Sequence, residues 1–131
     1  MTYEKIMIVD DSTTSRMIIK RCFFIAGYEN SEYIEAEDGL AALSILQEQG
    51  VDLIVTDLNM PRMDGATFIR RLKMKEGKSD IPILVISSIG NDAVRTELSG
   101  SSVLAVIRKP LSPMKIVESL GGGMEEDDDG F

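Results

Sequence analysis

Leu53-Ile54-Val55-Thr56-Asp57 is a run of strand length, apolar at consecutive positions, rich in β-branched residues and ending at an acid. A strand with one face in water alternates apolar and polar residues; one that is apolar on both faces needs cover on both. The same design recurs along the chain. Ile6-Met7-Ile8-Val9 ends at Asp10, Ile83-Leu84-Val85-Ile86 ends at Ser87, and Val103 to Ile107 is closed by Lys109-Pro110, while Tyr33-Ile34-Glu35-Ala36 is a weaker strand. Amphipathic stretches lie between them. Ser12 offers an N-cap to a helix in which Ile18, Cys22 and Ile25 recur at helical spacing and turn to the core, with Gly27 as its stop. Asp38-Gly39 makes a turn before a helix carrying Leu40, Ala41, Leu43, Ile45 and Leu46, which ends at Gly50. After Pro61 and Gly65 comes a helix through Phe68, Ile69 and Leu72, with Arg70, Arg71 and Lys73 near its last turns, where cations complement the helix dipole. A short polar helix around Asp92 to Leu98 and a last one started by Pro113 and running to Leu120 complete the pattern. Five strands alternating with five helices predict an α/β fold: a doubly wound, five-stranded parallel sheet in three α/β/α layers, joined by right-handed crossovers.

The length of 131 residues suits one domain, here residues 1–120, followed by a glycine-rich acidic end over residues 121–131. That end carries Glu125, Glu126, Asp127, Asp128 and Asp129 after Gly121-Gly122-Gly123, and reads either as a disordered solubilising tail or as a docking tail for a basic partner. It supplies five units of the net charge of −8; the rest is that of an ordinary domain. So acidic a chain is a poor direct ligand for a nucleic-acid backbone. No apolar run approaches the ~18 residues that a membrane span needs, and acids appear too early for a signal peptide, so the expected compartment is the cytoplasm. The single cysteine, Cys22, excludes a disulfide framework. The absence of histidine excludes Ser-His and Cys-His catalysis and His-ligated metals. The chemistry left to the chain runs on carboxylates, hydroxyls and lysine.

Those groups stand at the strand ends. Asp10-Asp11, Asp57, Ser87 and Lys109 follow four separate apolar runs, which places them on one edge of a parallel sheet, where doubly wound folds bind ligands. Singly each is ordinary: Asp10-Asp11 suits a helix cap, Asp57 a loop acid. Together the three carboxylates would repel unless a cation sits among them, and oxygen-only donors suit Mg²⁺. A hydroxyl and an ammonium opposite would suit a phosphoryl group.

The segments VDDS (9–12), TDLNMPRMDG (56–65), SS after ILVI (83–88) and KP after VLAVIR (103–110) together resemble the receiver domain of two-component response regulators, the CheY-like variant of the flavodoxin-like fold. The resemblance covers the chain from about Lys5 to Leu120. It implies that Asp57 is the phosphoacceptor, that Asp11 ligates Mg²⁺ directly and Asp10 mainly through water, and that Asn59 supplies a backbone carbonyl to the metal. Ser87 and Lys109 would hold the phosphoryl group. Pro61 and Gly65 match turn residues of the loop after the third strand, and Pro110 would follow a cis peptide bond. Asn59 and Ile89 would flank the path of the hydrolytic water and tune the lifetime of the modification. The implied partners are a sensor histidine kinase or phosphotransfer protein as donor and a downstream protein target, with no DNA and no membrane. The target would read the face made by the Asp92–Leu98 helix, the fifth strand and the last helix. A lean towards chemotaxis follows from a receiver standing alone; a receiver cut from a longer regulator or hybrid kinase is the alternative.

One position departs from the family pattern. The switch aromatic expected three residues before the lysine is Val106, whose β-branched side chain cannot make the same swing. Met17 and Phe24, a heptad apart on the first helix, read either as the core margin or as a docking stripe. A Mg²⁺-dependent phosphatase of the haloacid-dehalogenase type fits less well, because it needs two acids separated by a spacer after the first strand, whereas Asp10 and Asp11 are adjacent.

Overall fold

The structure is a computed structural model that describes residues 3–75, 77–78, 80–88 and 102–121. The expected Asp92–Leu98 helix, Ile89 and the acidic end beyond Gly121 lie outside the described residues. Within them are five strands, β1 (Lys5–Val9), β2 (Glu32–Ala36), β3 (Leu53–Asp57), β4 (Ile83–Ser87) and β5 (Val103–Arg108). The described helices are α1 (Thr13–Phe23), α2 (Gly39–Glu48), α3 (Gly65–Lys73) and α4 (Pro113–Leu120), and a wider π-type turn over Phe24–Tyr28 extends α1.

All strand pairs are parallel, in the order β2-β1-β3-β4-β5. The chain therefore winds one way from β1 to β2 and the other way from β3 onward, which puts the switch point between β1 and β3. The period of two along each strand divides the apolar side chains between two cores. Ile6, Ile8, Leu53, Val55, Leu84 and Ile86 pack towards α1 and α4. Met7, Val9, Ile54, Ile83 and Val85 pack towards α2 and α3. The expected doubly covered sheet is the observed one.

Side chains cap the helices. Ser12 accepts from the Ser15 amide (3.1 Å), Asp64 from Thr67 (2.8 Å) and Ser112 from Lys115 (3.2 Å), with Pro113 in the first turn of α4. Gly27 ends the α1 extension at φ 108°, a left-handed conformation that suits glycine. The Lys109–Pro110 bond is cis, as expected.

Two expectations need correction. Asp38-Gly39 is a helix start rather than a free turn: Asp38 is the N-cap of α2 and accepts from the Ala41 amide at 2.8 Å. The core face of α1 is also rotated from the expected one. Ile19, Cys22, Phe23 and Ala26 are buried, whereas Ile18 and Ile25 stand 53% and 65% exposed. The helix carries two adjacent apolar stripes, and the one holding Phe23 wins because its ring completes an edge-on cluster with Tyr28 and Tyr33.

The loop from β3 into α3 is drawn tight. The Gly65 amide donates to the Leu58 carbonyl at 2.8 Å, and a Cβ at Gly65 would collide with the Asp57 carbonyl oxygen and stand 2.8 Å from Leu58 Cα. Both obstacles are backbone and cannot turn aside. We expect Gly65→Ala to destabilise the fold by about 1–3 kcal/mol, read as a lower urea midpoint at unchanged slope; an unchanged midpoint would contradict this packing.

Candidate functional site

Parallel β1 and β3 are neighbours, so the residues that end them meet. Asp10 follows β1 and its amide donates to the Ala36 carbonyl at 3.1 Å, which holds it in line with the sheet. Asp57 is the last residue of β3 and is paired with Ile86. Asp11 turns outward to the exposed rim. Asp10, Asp11 and Asp57 each place a carboxylate oxygen within 4.8 Å of the others'. Asp10 and Asp57 are 1% and 6% exposed, so two of the three acids have left water almost completely.

The surrounding donors are ordered. Asp10 accepts from the Ser12 amide at 2.9 Å and from the Ser15 hydroxyl at 2.6 Å, so both of its oxygens are engaged. Arg16 donates to the Asp10 carbonyl at 2.6 Å and to Glu35 at 2.7 Å, bracing the end of β1. Asp57 Oδ1 accepts from the Leu58 amide at 2.9 Å. Buried Ser87 ends β4, and its carbonyl accepts from the Lys109 amide at 2.8 Å. That bond sets Lys109 at the rim, with its ammonium 3.6 Å from Asp57 and 3.7 Å from Asp10. Burial pushes the Asp57 carboxyl above its ordinary value. Lys109 opposes the rise and Asp10 adds to it, while the Leu58 and Asn59 amides oppose it, and the balance is upward.

The donor set fits a hard divalent cation. It holds carboxylates and no thiolate or imidazole, and among the described residues two buried acids face one ammonium, an arrangement short of positive charge. Asp10, Asp11, Asp57, Ser87 and Lys109 are thus gathered on one edge, as their strand-end positions predicted. Asn59 lies on the loop after β3, exposed. Val106 is half-buried against the α2/α3 core, beside Val85. Met17 on α1 and Phe24 on the turn that extends it are exposed, and Phe24 also rests on the Tyr33 ring at 5.5 Å.

Sequence reasoning missed several contributors. Ser15 and Arg16 carry no motif; only their place one turn into a capped helix next to Asp10 could have flagged them. The pair Asp38–Arg62 was also missed. Arg62 Nε donates to Asp38 Oδ2 at 2.7 Å, its Nη2 contacts the same oxygen, and Nη2 reaches Glu37 at 3.2 Å. Burial pushes the Asp38 carboxyl up, but the Ala41 amide and Arg62 outweigh it and hold the group below its ordinary value.

A doubly wound sheet bearing acids, a hydroxyl and a lysine at its carboxyl edge is built to hold a cation and an anion side by side. Comparison with known proteins makes the class specific. The sequence model of the response regulator receiver domain matches residues 6–121, and the chain belongs to that family. It is 34% identical over 116 residues to the chemotaxis protein CheY-3 of Vibrio cholerae, covering 88% of each chain. It is 33% identical to the chemotaxis protein CheY of Pseudomonas aeruginosa, covering 88% of this chain and 92% of that one. The solved structure of the chemotaxis response regulator CheY4 of Vibrio cholerae superposes with a TM-score of 0.78 at 28% identity, covering 91% of this chain and 97% of that one. The protein is a response regulator receiver of two-component signal transduction.

The raised Asp57 carboxyl has a definite sign in stability. The folded protein binds that proton more tightly than the unfolded chain does. Its contribution is therefore fully present below the ordinary value of 3.8 and is lost as pH rises through the higher folded value. In EDTA, Asp57→Asn should thus gain stability over the parent as pH rises through this window and then keep a constant lead, measured as urea midpoints across pH. Parallel profiles for the two proteins would contradict the charge balance described above.

Proposed function

We propose that the chain is a Mg²⁺-dependent phosphoacceptor switch in which Asp57 takes a phosphoryl group from a phosphohistidine on a sensor histidine kinase or phosphotransfer protein. The observation that carries this reading is the Asp10–Asp11–Asp57 cluster within 4.8 Å, with the Lys109 ammonium 3.6 Å from Asp57. Asp11, exposed at the rim, would hold the ion together with Asp57 and the Asn59 carbonyl, and Asp10, whose oxygens already accept from Ser12 and Ser15, would support it from behind. Bound Mg²⁺ supplies charge neutralisation on the phosphoryl oxygens.

A carboxylate oxygen of Asp57 attacks phosphorus in line; the new O–P bond forms as the P–N bond to the donor imidazole breaks, and the donor leaves with the electron pair. Lys109 holds a phosphoryl oxygen as a point charge, and the Ser87 hydroxyl donates to another. The chain catalyses only its own phosphorylation and dephosphorylation. Asn59 and, by the family pattern, Ile89 tune the rate of hydrolysis. The change is passed to a downstream protein partner through the β5 face. With Val106 in place of an aromatic ring, either that face moves less or activation is read another way. The names of the relatives favour a role in chemotaxis signalling; the compartment we assign is the cytoplasm.

Intact mass after treatment with acetyl phosphate should show one added phosphoryl group, absent in Asp57→Asn and in EDTA. Labelling of Asp57→Asn at the parent rate would contradict the assignment. Mg²⁺ at ~100 times its dissociation constant should stabilise the fold by about 2.7 kcal/mol. Asp11→Ala should remove most of that gain, and an unchanged melting point in millimolar Mg²⁺ would count against the site.

We further propose that exposed Met17 and Phe24 meet the phosphodonor protein. A double change to Gln should slow transfer from the kinase and leave acetyl phosphate labelling intact. Unfolding of the double variant would show the pair to be core instead.

A further inference from the structure

The loop that follows Asp57 is tied to a different part of the sheet edge by a residue outside the acidic cluster. Arg62 sits at φ 65°, the single left-handed non-glycine residue among those described. A long side chain gains nothing from that conformation by itself. What holds it is Asp38. Its carboxylate is fully buried and caps α2 through Oδ1, leaving Oδ2 to receive Arg62 through both Nε and Nη2. The next residue, Met63, is buried against α2, where a Cβ on Gly39 would meet its sulfur at 2.9 Å. Its amide donates to the Pro61 carbonyl at 2.6 Å, closing a tight turn. At the other end the loop is held by Gly65 on Leu58. Between these two anchors Met60 packs on the α2/α3 core and Asn59 is exposed.

We propose that Arg62 and Asp38 form a clamp that positions the 58–64 loop, and with it the Asn59 carbonyl, for Mg²⁺ at the acidic cluster. Arg62 is a positioning residue and touches neither the ion nor the phosphoryl group. This rests on the proposed reading of the acidic cluster as a Mg²⁺ site. Mg²⁺ tolerates little departure from octahedral geometry, whereas Ca²⁺ accepts variable and longer ligand sets. A loosened loop therefore penalises Mg²⁺ more than Ca²⁺, while general weakening of the fold lowers both alike.

The test is calorimetric titration of the full, unphosphorylated chain with Mg²⁺ and, separately, Ca²⁺. Arg62→Asn keeps a side chain that tolerates the left-handed backbone and removes the clamp; Asp38→Asn keeps the helix cap and removes the charge that Arg62 pairs with. Each should weaken Mg²⁺ binding by about 10-fold, as loss of an outer support does at other metal sites, with a smaller loss for Ca²⁺. The double variant should be no weaker than either single one. Unchanged Mg²⁺ affinity in Arg62→Asn, or equal losses for the two ions, would overturn the clamp while leaving the site itself intact. A parent chain that binds no Mg²⁺ would overturn the reading of the acidic cluster and the clamp with it.

Discussion

Everything at this site depends on one electrostatic constraint: three carboxylates share a space of less than 5 Å, two of them out of water, against one lysine ammonium among the described residues. Burial, with Asp10 beside it, raises the proton affinity of Asp57 against the opposing pull of Lys109. A chain that only had to fold would not choose this. The surrounding structure compensates with fixed donors, the Ser12 and Leu58 amides and the Ser15 hydroxyl, and with Lys109 held at the end of β5 by the Ser87 carbonyl. The deficit of positive charge that remains fits the cluster to a divalent cation.

The fold creates that constraint with ordinary means. Parallel pairing brings the carboxyl ends of all five strands to one edge, and reversal of the winding between β1 and β3 falls where Asp10 and Asp57 stand side by side. The two cores beneath leave those strand ends no freedom to drift, because Ile6 to Val9 and Leu53 to Val55 are fully buried on both faces. Precision at the rim is therefore inherited from packing in the middle. The loops are less constrained, and the cross-links Gly65–Leu58 and Arg62–Asp38 restrain the loop nearest to Asp57.

Much of this was legible in the sequence. Strands covered on both faces announce themselves as unbroken apolar runs, and the polar residue that ends each run is then placed on a known edge. That is why Asp10, Asp57, Ser87 and Lys109 could be brought together before any coordinates. The face of α1 was not legible in the same way. Ile18 and Ile25 are as apolar as Ile19 and Ala26, and the choice between the stripes is made by Phe23 meeting Tyr28 and Tyr33, a contact across elements. Asp38-Gly39 was ambiguous because an acid before glycine serves a turn and a helix cap equally well. Arg62 was invisible for a further reason: its backbone conformation and its pairing with a residue 24 positions earlier exist only once two loops are adjacent.

The central claim is that the crowded acid at the end of β3 is the group that accepts phosphate. Reduction with borohydride after acetyl phosphate treatment, followed by peptide mass analysis, reads this directly, since an acyl phosphate is reduced to the alcohol and marks its own position. The account predicts homoserine in place of Asp57 when Mg²⁺ is present and an unmodified Asp57 in EDTA. Homoserine at Asp10, Asp11 or any other acid, or its appearance at Asp57 regardless of Mg²⁺, would contradict it.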